Sequence, residues 1–205
     1  PTRMDAQGVS KDEAMASGQY DAVVLTEMVE LRDAIKYHDS GRNLAYWARA
    51  ARAGNPDARV YLYESWHRLD DAAGWLNRLD GDLARHWEGD LLRPAMALPE
   101  TGTIFVIPAG QAMAAVARAA EAGSLPGLTR REDLFAREAD GQTDPIHFSD
   151  LGAYVVALTH FAVIYHRSPV GLPFALRHPD GTQAAAFSEA AARAVQSLVW
   201  QVVTG

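Results

Sequence analysis

Apolar positions along this chain fall into two rhythms. Short runs rich in β-branched residues occur at Tyr20–Thr26 (YDAVVLT), Ala58–Glu64 (ARVYLYE) and Thr103–Pro108 (TIFVIP). The spacing predicts strands, and the first of them reads as a strand buried on both faces. Between them the period lengthens to three or four. Asn43–Ala53 has helical character and is closed by Gly54-Asn55-Pro56-Asp57. Trp75, Leu76, Leu79, Leu83, Trp87 and Leu91 form one helical stripe. Gly110–Ala122 is an Ala-rich helix stopped by Gly123. Ser149 is placed to cap a helix running through Tyr165, and Ser188 one that reaches about Val203. Residues 128–148 show no clear period and read as irregular and polar. Strands that alternate with helices imply βαβ units, hence an α/β fold with a parallel sheet, organised as a single domain over residues 1–205.

Three strands make a thin parallel sheet, and YDAVVLT falls at its edge although it is apolar throughout. Long apolar edges template aggregation and are normally covered. Either a strand is hidden in the weakly patterned N-terminus, or the first strands lie outside this chain. The second expectation is favoured.

Composition narrows the function classes. The chain has 205 residues, 48% of them hydrophobic and 22% charged, a globular balance with enough length for a core. The formal charge of -7 argues against a surface that tracks phosphates, so neither nucleic acid nor an anionic membrane is an expected partner. There is no cysteine, which removes disulfides, thiolate metal sites and cysteine nucleophiles. The N-terminal PTRMDAQGVSKDEAMASGQ has no basic-then-apolar leader pattern. The longest apolar run, Ala153–Tyr165, is interrupted by Thr159 and His160 and is too short to span a bilayer.

The chemistry-bearing stretch is TDPIHFSDLGAYVVALTHFAVIY, where Asp144 and His147 stand three residues apart before the apolar helix. A carboxylate can fix the tautomer of an imidazole whose other nitrogen takes a proton from a hydroxyl nucleophile. Spacing alone is weak, because chance supplies about half an instance in a chain of this composition. The bland alternative is a surface loop with an Asx turn before Pro145. Glu27, Glu64 and Trp66 follow the C-terminal ends of expected strands, the edge where open parallel sheets collect ligands. There the two carboxylates would orient a sugar hydroxyl or the imidazole, and Trp66 would be a stacking platform. The competing reading makes the glutamates solvated or capping groups and Trp66 core.

In order along the chain, YDAVVLTEMVEL, ARVYLYESWH, TIFVIPAGQAMAAV and DPIHFSDLGAY resemble the successive blocks of one branch of the SGNH (GDSL-like) hydrolases. The resemblance covers about residues 20 to 172. It implies a three-layer α/β/α fold with a parallel sheet in flavodoxin-like order. It also implies a serine-type ester hydrolase, acting on an acyl group carried by a carbohydrate or a similar small polar molecule. In such an enzyme His147 is the general base and Asp144 orients it, with no metal or organic cofactor. Two departures follow from the same comparison. The family's Gly-Asp-Ser or Gly-Asn-Ser turn after a first strand has no counterpart: Ser10 follows no apolar strand, and Ser17 and Ser65 lack the glycine turn. The nucleophile is therefore expected from a segment outside this chain, including a separate polypeptide as one form. The oxyanion Asn that many members carry after the third strand is replaced by Thr26-Glu27, and a carboxylate cannot donate to an oxyanion unless protonated. A non-catalytic, SGNH-like glycan- or ligand-binding domain is the alternative.

The remaining histidines read as structural. His160 and His166 lie in or at the end of an apolar helix, while His38, His86 and His178 stand isolated in polar surroundings. No pair has metal-ligand spacing.

Overall fold

The computed structural model describes residues 10–205. Residues 1–9, part of the stretch in which a hidden strand is one explanation of the thin sheet, lie outside it. Contacts divide the single domain expected from the sequence into two compact units. One takes the chain up to Glu64 together with Gly81–Val106. The other takes Ser65–Asp80 and Ile107–Gly205.

The first unit carries the sheet. Helix α1 (Lys11–Ala16) starts at Ser10, which forms a reciprocal capping box with Glu13. Strand β1 (Ala22–Thr26) pairs in parallel with β2 (Arg59–Glu64), Ala22 opposite Arg59 and Thr26 opposite Tyr63. Strand β3 (Ile104–Pro108) completes a parallel sheet of order β1-β2-β3. The connection from β1 to β2 contains two helices, α2 (Leu31–His38) and α3 (Ser40–Gly54), where sequence periodicity indicates one, Asn43–Ala53, within α3. They are separated by Asp39 in the left-handed region, φ 50°. Asn55, in an extended conformation, caps α3 within the Gly54-Asn55-Pro56-Asp57 stretch that closes it.

Alternation sorts the strand residues by face. Val23, Val60, Leu62 and Ile104 enter the core, where they meet Leu44, Ala45, Ala48 and Ala51 of α3. Ala45, Ala48 and Ala51 form the small-residue part of the face that α3 turns into this core. On the other face Val24 is 39% and Phe105 41% exposed, flanking the buried ring of Tyr61. The expectation that β1 is buried on both faces is corrected: one face is core and the other is open at the strand's centre.

The Trp75–Leu91 stripe is one helical run of changing pitch. It comprises α4 (Trp75–Asp82), a π-helical stretch at Leu83–Leu92 and α5 (Arg93–Ala97). Trp75 and Leu79 are buried in the second unit, Trp87 and Leu91 in the core of the first.

In the second unit, α6 (Ala109–Glu121), α7 (Asp150–Tyr165) and α8 (Glu189–Thr204) pack on one another. Gly123, φ 71°, terminates α6 as its position suggests. Ser149 and Ser188 cap α7 and α8 through the amides of Gly152 and Ala191. Gln196 of α8 is a buried amide with every hydrogen-bonding group used. Nε2 donates to Tyr154 Oη and the Leu172 carbonyl, while Oε1 accepts from the Gly171 amide. Residues 128–148 correct the sequence reading most. They hold a 3-10 turn (Arg131–Leu134) and an antiparallel hairpin, β4 (Phe135–Arg137) with β5 (Thr143–Phe148). Among the described residues no helix is long and apolar enough to cross a membrane.

Candidate active site

Asp144 and His147 therefore sit on a strand, not in a loop. Pro145 lacks an amide hydrogen, so β5 cannot form a complete ladder there. The two amides that follow turn instead onto Asp144: Oδ1 accepts from the Ile146 amide at 2.7 Å and the His147 amide at 2.9 Å. The second carboxylate oxygen, Oδ2, lies 2.7 Å from His147 Nδ1. One short tetrapeptide thus fixes both partners of the pair.

Its electrostatics follow directly. The His147 amide, the Ile146 amide and then the imidazole hold the Asp144 carboxyl well below the usual aspartate range. An ionised carboxylate only accepts hydrogen bonds, so the proton between the groups belongs to Nδ1. The lone pair of the neutral ring is then on Nε2. The His147 side chain is 77% exposed, while that of Asp144 is 15% exposed.

The strand beneath the pair is held from two sides. Phe135 registers with Phe148 and Arg137 with Thr143 across the hairpin. From the segment after β2, the Leu69 amide donates to the Pro145 carbonyl at 2.8 Å, and Trp66 Nε1 donates to the Ile146 carbonyl at 2.6 Å. The Trp66 ring meets Phe148 edge-on, centroids 4.6 Å apart. Trp66 joins the candidate pair, but as a buried brace under β5 and not as an open stacking platform.

Helix α7 begins immediately beyond. The Ser149 amide donates to the Leu134 carbonyl and its hydroxyl to the Asp133 carbonyl. A side chain at Gly152 would overlap the Leu134 carbonyl and press on Phe148 Cβ. Glycine is what lets α7 start against the hairpin, a role that the motif DLGAY shows only once the hairpin is recognised.

Glu27 and Glu64 belong to the other unit. Glu27 follows β1, lines a cavity there and accepts from the Met28 amide at 3.3 Å. Glu64 is buried at the end of β2; its charge adds to burial in raising the Tyr63 hydroxyl pKa.

Among the described residues no serine or threonine hydroxyl bonds to His147. Ser10 is spent on the α1 cap and Ser17 Oγ donates to the Ala14 carbonyl. Ser65 is buried.

Two of the histidines read as isolated face carboxylates. His86 Nδ1 lies 2.6 Å from Asp90 Oδ2, with its Nε2 3.8 Å from Asp82 Oδ1. His178 Nε2 lies 3.3 Å from Asp150 Oδ2. The spacing D-x-x-x-H-x-x-x-D around His86 shows the first arrangement, because residues four apart share a helix face. His160, half-buried, has Nδ1 facing the Val156 carbonyl one turn back. No group of three or more His, Asp or Glu among the described residues is arranged to hold a metal ion.

Fold and site together define an α/β protein with a three-stranded parallel sheet and an oriented Asp–His pair on a separate hairpin. No protein-family model matches this chain. Comparison with curated proteins and with solved structures likewise gives no match.

Proposed function

We propose that this chain supplies the acid–base half of a serine-type ester hydrolase of SGNH-like, three-layer architecture. The substrate is an acyl ester of a carbohydrate or a similar polar alcohol. His147 Nε2 takes the proton of a serine hydroxyl from a segment outside these 205 residues and returns it to the leaving alcohol. Asp144 holds the tautomer and stabilises the imidazolium. The observation that supports this reading is the Asp144–His147 pair itself. One ring nitrogen is bound to an anchored carboxylate and the other is left on an exposed ring.

The test is p-nitrophenyl acetate hydrolysis by the protein expressed with its encoded upstream sequence. His147→Ala is expected to lower turnover by about a thousandfold or more, the usual scale for losing a triad member. Unchanged turnover contradicts the proposal. The second reading, a ligand-binding domain without catalysis, draws on a departure in sequence: the resembled family carries an oxyanion donor after its third strand, and this chain has Thr26-Glu27 there. It predicts no serine-dependent hydrolysis in either protein.

A further inference from the structure

A cavity of about 550 Å³ lies within the sheet-bearing unit. It touches Val24, Leu25, Thr26 and Glu27, four consecutive residues at the end of β1. Successive side chains of a strand point to opposite faces, so a space bordered by all four runs along the strand's edge. The Asp21 carbonyl accepts from the Arg59 amide, which directs Asp21, Val23 and Leu25 toward β2. The backbone groups of Ala22, Val24 and Thr26 therefore face outward, and among the described residues no strand pairs with them.

The opposite walls suit the side chains that a neighbouring strand would bring. Leu44 and Trp47 of α3 and Met15 of α1 line the cavity. Leu44 and Leu62 also belong to the core cluster, and Met15 and Leu25 pack against it, so the cavity continues both the β1–β2 interface and the core outward by one strand position. The Ser40 hydroxyl in this wall is buried with no hydrogen-bond partner. Lys11 lies over the Trp47 ring at 5.5 Å with no carboxylate within ion-pair distance among the described residues, while Glu27 borders the same cavity at the end of β1. A small apolar molecule would satisfy the walls but neither the row of outward amides and carbonyls nor the ammonium.

We propose that this cavity docks one further β-strand, an extended peptide that pairs with Ala22, Val24 and Thr26. The peptide sets alternate apolar side chains against Leu44, Trp47 and Met15, and carries an acidic residue toward Lys11. Addition of a strand to an exposed edge draws affinity from the main chain and specificity from alternate side chains. In the proposed hydrolase the outside segment would be one such strand; the docking itself draws on neither Asp144 nor His147, so peptide binding and His147→Ala turnover test the two readings separately.

The probe is a fluorescein-labelled heptapeptide of alternating valine and threonine with one terminal aspartate, titrated with the 205-residue chain by fluorescence anisotropy. Saturable binding is expected. It weakens at least tenfold when the peptide amides are N-methylated, and about threefold when lysine replaces the aspartate. Val24→Pro, which removes an outward amide hydrogen, is expected to match the tenfold loss. If that variant does not fold, the N-methylated peptide decides alone. Equal affinity for the N-methylated peptide, or no binding by the original one, overturns the proposal.

Discussion

Two histidines in this molecule approach carboxylates almost equally closely, and they are built for different ends. His86, on the π-helical stretch, is bracketed: Asp90 lies at one ring nitrogen and Asp82 at the other. Its side chain is only 12% exposed, and Asp82 also faces Arg32 at 3.9 Å. His147, on β5, is engaged at Nδ1 alone, and its ring stands in the open. A ring whose two nitrogens both face carboxylates links parts of a helix. A ring engaged on one side can exchange a proton on the other. Distance to a carboxylate therefore does not distinguish a structural histidine from a candidate base; what the second nitrogen faces does.

The largest effect expected on this contrast comes from a residue that touches neither ring. Gly152→Ala puts a methyl into the Leu134 carbonyl and Phe148 Cβ. It is expected to cost about 2–3 kcal/mol, the scale of overpacking at a site that cannot yield. Thermal unfolding measures it, and an unchanged midpoint would show that α7 can move off the hairpin freely.

Next is Asp144→Ala. The carboxyl pKa is depressed in the folded chain, so its contribution is fully present above the ordinary value of 3.8 and is lost as pH falls through the folded value. The stability gap between wild type and Asp144→Ala should hold constant from pH 7 to about pH 4 and close only at lower pH. A gap that closes between pH 7 and pH 5 would mean that Asp144 is not held by its amides. Trp66→Phe keeps a ring against Phe148 but removes the donor to the Ile146 carbonyl. A loss of about 1–2 kcal/mol is expected in denaturant unfolding, the cost of one buried unsatisfied group. No loss would remove the indole from the support of β5. The smallest effect belongs to Asp90→Asn, expected within about 0.5 kcal/mol because the contact is partly exposed and asparagine keeps a hydrogen-bonding oxygen. It should leave the behaviour of His147 untouched, and a change there would erase the contrast between the two rings.

The three strands were legible because a short apolar run between polar turns has few other solutions, and each was found within about two residues. The caps at Ser149 and Ser188 were legible for a local reason: a serine ahead of an apolar helix satisfies its first amides. The hairpin was not. Phe135–Arg137 is three residues long, and β5 contains a proline, so neither shows an alternating pattern. Helix α2 is eight residues long, and its apolar face, Leu31, Ala34 and Ile35, is too short a repeat to mark a helix. Within the candidate site, Asp144 and His147 could be named from spacing and neighbours. The amide contacts that anchor Asp144 depend on Pro145, and the brace from Trp66 joins residues 80 positions apart. Long-range contacts of that kind leave no local trace. The division into two units is equally hidden, since one helical stripe supplies buried residues to both.

The most direct measurement is the ¹⁵N and ¹H NMR spectrum of the His147 imidazole above its titration, in the 205-residue chain and in Asp144→Ala. The anchored carboxylate predicts a neutral ring protonated on Nδ1, with Nε2 showing the shift of an unprotonated nitrogen, and loss of that bias in Asp144→Ala. A wild-type ring protonated mainly on Nε2, or a tautomer ratio unaffected by Asp144→Ala, would contradict the claim that Asp144 orients His147 as a base.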